Sequence, residues 1–572
     1  MATLSVARRA GTRIPALRAQ TIIVGAAVVL LAYLTLVPLA MLLLGSVSAG
    51  SSVLDLQLTL SNFQRVLTDQ ASLELLSNSL VYGVGSAFLA FAIGTAVAWA
   101  VERSDIPGRS LWYGLALVPL IVPGIVHTIA WLFLLSPEIG WINAPLRAAF
   151  GFSMSIYSLP GMIWIEGLHT APLAFVLMSA AFRTMDPSLE EAAATSRADP
   201  WATFRRVTLP LLLPSAAAVV LILFVRAIEG FEVPAIIGLP GRIFVYTSRI
   251  YTALNQYPSN YGLSAAYGAV LLAISVGALL LHNRVTRRTE RFATVTGKAY
   301  RPRRISLGRF RVFAVGALVL YAATAVGLPF LVLIYASLVR VYTVPSFETL
   351  GDLTLANYGF LATDELTRRA LGNSLKLGVA TASVVVALTA VIAWVTVRTR
   401  VAGRGMLDFL AFVPITIPGI VLGISLIWVS FIVPLRIYGT IWILLVAYVT
   451  RYLPYGIRSA TAGLVQIHRE LEEAASAAGA GWWPTFTRVL LPLLRPALLG
   501  AWIYVFIVSL RELGSSVLLA SADSVVLAVR IFDLRDSGNY TTIAALSVVL
   551  VVILVLLVAA LQRIGGRPVR EA

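Results

Sequence analysis

Cysteine does not occur in the 572 residues of this chain, histidine occurs only four times, and acidic residues number 27 against 44 lysines and arginines. The first absence excludes disulfides, thiolate metal sites and cysteine nucleophiles. The histidines, His127, His169, His282 and His468, show no ligand spacing, so no metal site built by the chain is expected. A Walker loop is also missing: the sole Gly-Lys, Gly297-Lys298, is followed by Ala299 and has Phe292 where the leading glycine belongs. No catalytic residues and no cofactor are expected in this chain.

Charge is scarce as well. Charged residues make up 12% of the chain, hydrophobic ones 59%, and the mean hydropathy is +0.87, more apolar surface than a water-soluble core can hide. A helix needs about 20 apolar residues to cross the hydrocarbon. Such runs recur at 21–46, 77–101, 111–135, 160–182, 212–239 and 262–282, then at 312–338, 371–397, 406–432, 440–462, 494–520 and 541–561. The expected fold is an all-α polytopic membrane protein of about twelve transmembrane helices. The first run follows Arg8, Arg9, Arg13 and Arg18 and is too long for a signal-peptide core, so it reads as a spanning helix.

The excess of cations, +17 in formal charge, invites a nucleic-acid reading that their placement rejects. They gather in the N-terminal tail, at Arg103 and Arg109, in the stretch 283–310, at Arg398, Arg400 and Arg404, and at Arg563, Arg567 and Arg570. With the N-terminus cytoplasmic, all fall on one side of the membrane, the positive-inside pattern, and both termini are cytoplasmic. The partners expected are lipid and protein, with no nucleic acid.

The chain also repeats itself. Asn62, Asn78, Trp99, Arg103 and Gly108-Arg109 recur 295 positions later as Asn357, Asn373, Trp394, Arg398 and Gly403-Arg404. Pro119, Pro123 and Gly124 recur at the same offset as Pro414, Pro418 and Gly419. Farther on the offset drops to 282: Glu191 matches Glu473, Trp201 matches Trp483, and Leu209-Pro210 matches Leu491-Pro492. Six runs per copy is an even number, so the copies enter the membrane from the same side as parallel repeats about a pseudo-two-fold axis. The domains read as a 1–20 tail, a first half 21–282, a basic linker 283–310, a second half 311–562 and a 563–572 tail.

Each half holds one polar island. The first comprises Leu189, Glu190, Glu191, Ala192 and Ala193, and the second Leu471, Glu472, Glu473, Ala474 and Ala475. Asp186-Pro187 supplies an N-cap and a first-turn proline, and the acids favour the positive end of a short cytoplasmic helix. Leu189, Ala192, Ala193 and Ser196 fall on one narrow face that suits a groove on another protein.

The second island, followed by Gly479 and Leu491-Pro492, resembles the Glu-Ala-Ala loop of binding-protein-dependent (type I) ABC importer permeases. That resemblance implies that each island is a coupling helix docking on a cytoplasmic ATPase. It implies two ATPase subunits that bind ATP and magnesium, and a periplasmic or extracellular binding protein that delivers the solute. The first island departs at Arg197, where the family has glycine; arginine takes up a left-handed helix end poorly, so the first coupling helix is expected to end differently. The fused two-copy layout, with Val118 to Ile125 and Val413 to Ile420, resembles ferric-iron permeases and, less closely, thiamine permeases of the bacterial cytoplasmic membrane. A twelve-span secondary transporter would also show parallel repeats but leaves the twin islands unexplained.

Ionisable residues inside apolar runs usually face a cavity or a partner, because each costs about 2.5–3.5 kcal/mol on insertion scales. The translocation-path candidates are Glu166 and His169 in the fourth run, Arg226, Glu229 and Glu232 in the fifth, and Arg511 and Glu512 in the eleventh. Arg226 and Glu229 stand i, i+3 and are also candidates for mutual neutralisation. Carboxylates suit a hard cation such as ferric iron. Pro119, Pro123, Pro414 and Pro418 are candidate gate residues or packed kinks.

Overall fold

The computed structural model describes residues 14–49, 57–185, 188–197, 199–289, 305–399, 401, 403–433 and 436–564. Only helices and closed barrels satisfy every backbone group in lipid. The described residues are accordingly helical, with isolated bridges at Ser48–Leu58 and Ser104–Ile305 and no strand among them.

The first half contains α1 (Ile14–Ser46), α2 (Gln70–Arg103), α3 (Arg109–Ile121), α4 (Gly124–Leu135), α5 (Leu159–Thr184), α6 (Ser188–Thr195), α7 (Leu209–Glu229) and α8 (Tyr261–Thr289). The second contains α9 (Arg311–Ala322), α10 (Leu328–Leu338), α11 (Glu365–Arg398), α12 (Arg404–Phe412), α13 (Gly419–Ile432), α14 (Ile441–Val465), α15 (Glu470–Ala477), α16 (Leu491–Leu510) and α17 (Tyr540–Ile564). Among the described residues nine helices are long and apolar enough to cross a membrane, and two bent pairs bring the number to eleven. The twelfth expected span is α14, whose Arg451 and Arg458 lower its hydropathy but whose 25 residues reach about 37 Å.

The third and ninth spans break at their prolines, as the sequence leads one to expect: α3 meets α4 at 100°, and the α12 segment meets α13 at 110°. Pro123 and Pro418 stand at these corners in extended conformation (ψ 142° and 144°), the geometry a proline break imposes. The expected reach of the fifth and eleventh runs is corrected: they stop short of 239 and 520. Helix α7 ends at Glu229, before Gly230 turns extended, and α16 ends at Leu510. Arg511 and Glu512 therefore sit on non-helical backbone, which is tolerated at membrane depth only where it lines a cavity, and Glu232 stands just past the break at Gly230–Phe231, where a short helical segment resumes.

Packing inside each half depends on one close crossing. A Cβ on Gly94 of α2 would lie 2.5 Å from Ala174 Cβ of α5. The second half makes the same crossing with the sizes exchanged, Gly456 of α14 meeting Val385 and Thr389 of α11 at 2.8–2.9 Å. Small residues let membrane helices approach this closely.

The first helix of each half packs across on the other half. Val24 and Leu31 of α1 are buried in a cluster with Trp394, Leu407, Leu453 and Leu494. Reciprocally, Leu318 and Tyr321 of α9 join Ala90, Phe175 and Leu212. A Cβ on Gly45 would lie 2.5 Å from the indole of Trp428, which is fully buried in α13. Gly45→Leu is therefore expected to destabilise the inserted protein by about 1–3 kcal/mol through overpacking, whereas Gly25→Leu, with nothing within 4 Å of its Cβ position, leaves thermal unfolding in nanodiscs unchanged.

The basic stretch 283–310 starts as the end of α8, and residues 290–304 lie outside the described residues, as does most of each terminal tail. Its last residues are fastened to the first half. Ile305 N donates to Arg103 O at 2.8 Å, and Asp105 accepts from Leu307 N and Ser306 Oγ at 3.0 Å and pairs with Arg311. The Leu307 N–H, with Arg311 beside it, holds the Asp105 carboxyl down at about 2. A depressed carboxylate contributes stability that is complete above its unfolded value and lost as pH falls through the folded one. Hydrogen-exchange protection factors at 305–311 should thus hold from neutral pH down to about 4 and fall only toward pH 2; Asp105→Asn should lower them at neutral pH.

Candidate functional site

The two polar islands form α6 and α15, eight residues each, at matching positions 282 apart (470 − 188). The Asp186-Pro187 start signal lies outside the described residues. Leu189 and Leu471 are 49% and 45% exposed, and Glu191, Glu473, Ala192 and Ala474 are also exposed, with Ala193 and Ala475 partly covered. The two acids of each island part company. Glu190 is only 6% exposed, paired with Arg103 and accepting from Thr208 Oγ1 at 2.7 Å, while Glu472 contacts Arg398 at 2.7 Å. Of each acidic doublet, then, only the second faces outward.

The expected difference at Arg197 does not occur. Arg197 has φ 57° and Gly479 φ 83°, so both helices end in the left-handed region. An exposed L-residue adopts it for about 1–2 kcal/mol, and the turn into the next helix requires it whichever residue is present. Beyond each turn, Phe204–Thr208 and Phe486–Leu490 form π-helical turns. Pro210 and Pro492 explain them: each lacks an N–H and would crowd the carbonyl four residues back, and the wider turn relieves both.

All seven translocation-path candidates line one cavity of about 140 Å³ between the halves. Its construction follows the repeat. Helices α4 and α13 point their N-termini at it, with a Cβ position on Gly124 3.4 Å from His169 Nε2 and 3.6 Å from Glu232, and one on Gly419 against the Arg451 guanidinium and 2.9 Å from Glu512 Oε1. His169 and Arg451 are equivalent positions (451 − 169 = 282). Glu166 accepts from Tyr82 Oη at 3.2 Å, and Glu512 from Tyr452 Oη at 2.6 Å and from Ser515 N at 3.1 Å. Arg511 crosses between halves to donate to Leu120 O at 2.7 Å, near the C-terminal end of α3, where a cation suits the helix dipole.

Arg226 and Glu229 both face the cavity and lie within reach of each other's charge, but no ion pair within 4.0 Å joins them. The pair that forms is Arg451–Glu512 at 3.2 Å. Arg451 was missed by the sequence reading although it is an ionisable residue in an apolar run, the criterion that selected the others. Tyr82, Tyr452, Tyr455 and Tyr504 carry no such signal. Of the prolines, Pro119 lies buried in α3 and Pro414 in a 3-10 turn, while Pro123 and Pro418 stand at the corners. Among the described residues no three His, Asp or Glu side chains are grouped to hold a metal ion.

Broken helices around a cavity between parallel repeats, with paired short helices in matching loops of the two halves, define a multi-pass transport subunit. The family described as "binding-protein-dependent transport system inner membrane component" matches residues 90–291 and 386–570, and the chain belongs to it. It is a fused two-half permease subunit of an ABC importer in the inner membrane, and its family works with a substrate-binding protein and an ATPase. The chain is similar to a putative ferric transport system permease of Haemophilus influenzae, at 28% identity over 83% of this chain and 77% of that one. It is similar to the ferric transport system permease of Actinobacillus pleuropneumoniae, at 27% over 88% and 72%. A putative 2-aminoethylphosphonate transport permease of Salmonella paratyphi A matches at 33% over 30% of this chain and 67% of its own.

Proposed function

We propose that this chain carries ferric iron across the bacterial inner membrane by alternating access. Two copies of a cytoplasmic ATPase grip α6 and α15, bind the ATP and magnesium, and perform the hydrolysis, since this chain has no Walker loop. A binding protein delivers the iron on the opposite side, and both termini are cytoplasmic. The single observation that carries the transport cycle is the matched construction of α6 and α15, two equal handles on the halves that enclose one carboxylate-bearing cavity. Iron as the cargo is supported by the two ferric-permease relatives, which align over most of the chain. Carboxylates are suitable partners for a hard cation in transit.

The test is reconstitution with the ATPase and the binding protein, comparing ferric iron, thiamine and 2-aminoethylphosphonate as stimulants of ATP hydrolysis and uptake. Stimulation by ferric iron alone is expected. Stimulation by one of the others would replace the cargo and leave the transport reading intact, and uptake that persists without ATP under a proton gradient would overturn the ATP-driven reading.

A further inference from the structure

Two charge pairs, Arg103–Glu190 buried and Arg398–Glu472 with its glutamate partly exposed, connect parts of the chain that the repeat conserves separately. Arg103 and Arg398 end α2 and α11 and are 295 positions apart, whereas Glu190 and Glu472 lie in the first turns of α6 and α15 and are 282 apart. Despite the different offsets, the same Arg–Glu contact forms in both halves, with Arg103 1% exposed and the Arg398 side chain 8% exposed. Each half adds a third element to the junction by its own means. In the first, Glu102 of α2 pairs with Arg183 at the end of α5 at 2.8 Å. In the second, Arg398 donates to Leu464 O at 3.0 Å and to Ile467 O at the end of α14. Removing one partner of such a buried pair leaves an uncompensated charge, so the elements it joins separate only at high cost.

Helix α2 also reaches the cavity. Tyr82, which donates to Glu166, and Arg103 are 21 residues apart on one helix (103 − 82), about 31 Å. Taking the ATPase-coupling reading above as its basis, we propose that Arg103–Glu190 and Arg398–Glu472 make each coupling helix and the second spanning helix of its half move as one body. ATPase closure then reaches the cavity in the first half along α2, through Tyr82 and Glu166, as well as along α7, and in the second half along α16. Arg103 and Arg398 are positioning residues in this route: they touch neither the ATPase nor the cargo.

The test uses the full complex of permease, ATPase and binding protein in nanodiscs and liposomes. Because the chain has no cysteine, the permease can be spin-labelled before assembly, without background from its own thiols, at Ala96→Cys on α2 and Thr195→Cys on α6, both exposed positions. Their separation should be the same with and without nucleotide, while that between Thr195→Cys and Ala477→Cys, equivalent positions on the two coupling helices, should change. A change of more than about 2 Å, the scale of helix shifts in switching proteins, between Ala96 and Thr195 would overturn the proposal. A constant Thr195–Ala477 separation, with no ATPase retained, would instead overturn the coupling reading on which it rests. In liposomes, Arg103→Gln with Arg398→Gln should retain the ATPase but lower cargo imported per ATP at least about fivefold, the lower range of site-to-site coupling. Arg103→Lys with Arg398→Lys should recover most of it, and lysine variants as impaired as the glutamine ones would count against the charge pair.

Discussion

Replacing both Glu191 and Glu473 by lysine is expected to abolish ATP-driven uptake while the permease still inserts. Both carboxylates are exposed in the first turns of α6 and α15 and bond no other part of the permease through a described side-chain contact. Reversal therefore costs the fold little beyond the loss of a favourable helix-dipole contact, about 0.3–1 kcal/mol each. At a docked interface the same reversal leaves a cation against groups arranged for an anion, a loss of about 2–5 kcal/mol per site. Two such losses should lower ATPase retention and uptake by at least about a hundredfold, measured by co-purification and liposome transport. Glu190 and Glu472 behave differently: already occupied by Arg103 and Arg398, they should disturb the position of the coupling helix rather than its contact surface. Unchanged ATPase retention in the double reversal would remove α6 and α15 as the docking elements.

Arg451→Met is expected to have the largest effect on folding. It leaves Glu512, 7% exposed, without its only ion-pair partner among the described residues. Tyr452 and Ser515 still donate to the carboxylate, but breaking a buried pair from one side typically costs about 3–5 kcal/mol. Folded yield and thermal midpoint in detergent should drop sharply. Adding Glu512→Gln removes the orphaned charge and should restore most of the stability, because a neutral amide keeps hydrogen-bonding capacity at far lower burial cost. Cargo uptake should stay low in the double variant if the cavity charges serve the path. Uptake equal to the parent would reduce Arg451 and Glu512 to structural roles.

Much of this was legible one residue at a time. The twelve apolar runs, the Pro-Gly corners at 123–124 and 418–419, and both polar-island helices announce themselves through local hydropathy, capping and repetition. The seven charged candidates were legible for the same reason, since burying charge in an apolar run needs a cause. Arg197 takes up the left-handed conformation against its residue preference, because the turn into the following helix fixes the backbone there. Similarly, the reach of the fifth and eleventh helices was overstated, because an apolar composition continues past Gly230 and Leu510 although the helix does not.

The linear sequence determined the class of protein, its duplication and the sites of its helices, because hydrophobic length, helix-breaking residues and internal offsets are properties of neighbours along the chain. Tertiary structure alone decided which charges meet. It brought Arg451 to Glu512, Arg103 to Glu190 and Arg511 to Leu120, packed α1 and α9 on opposite halves, and turned one glutamate of each doublet inward. The reason is the short range of ion pairs and hydrogen bonds: their partners lie tens to hundreds of residues apart, and only the packing of complete helices sets the few ångströms on which they depend.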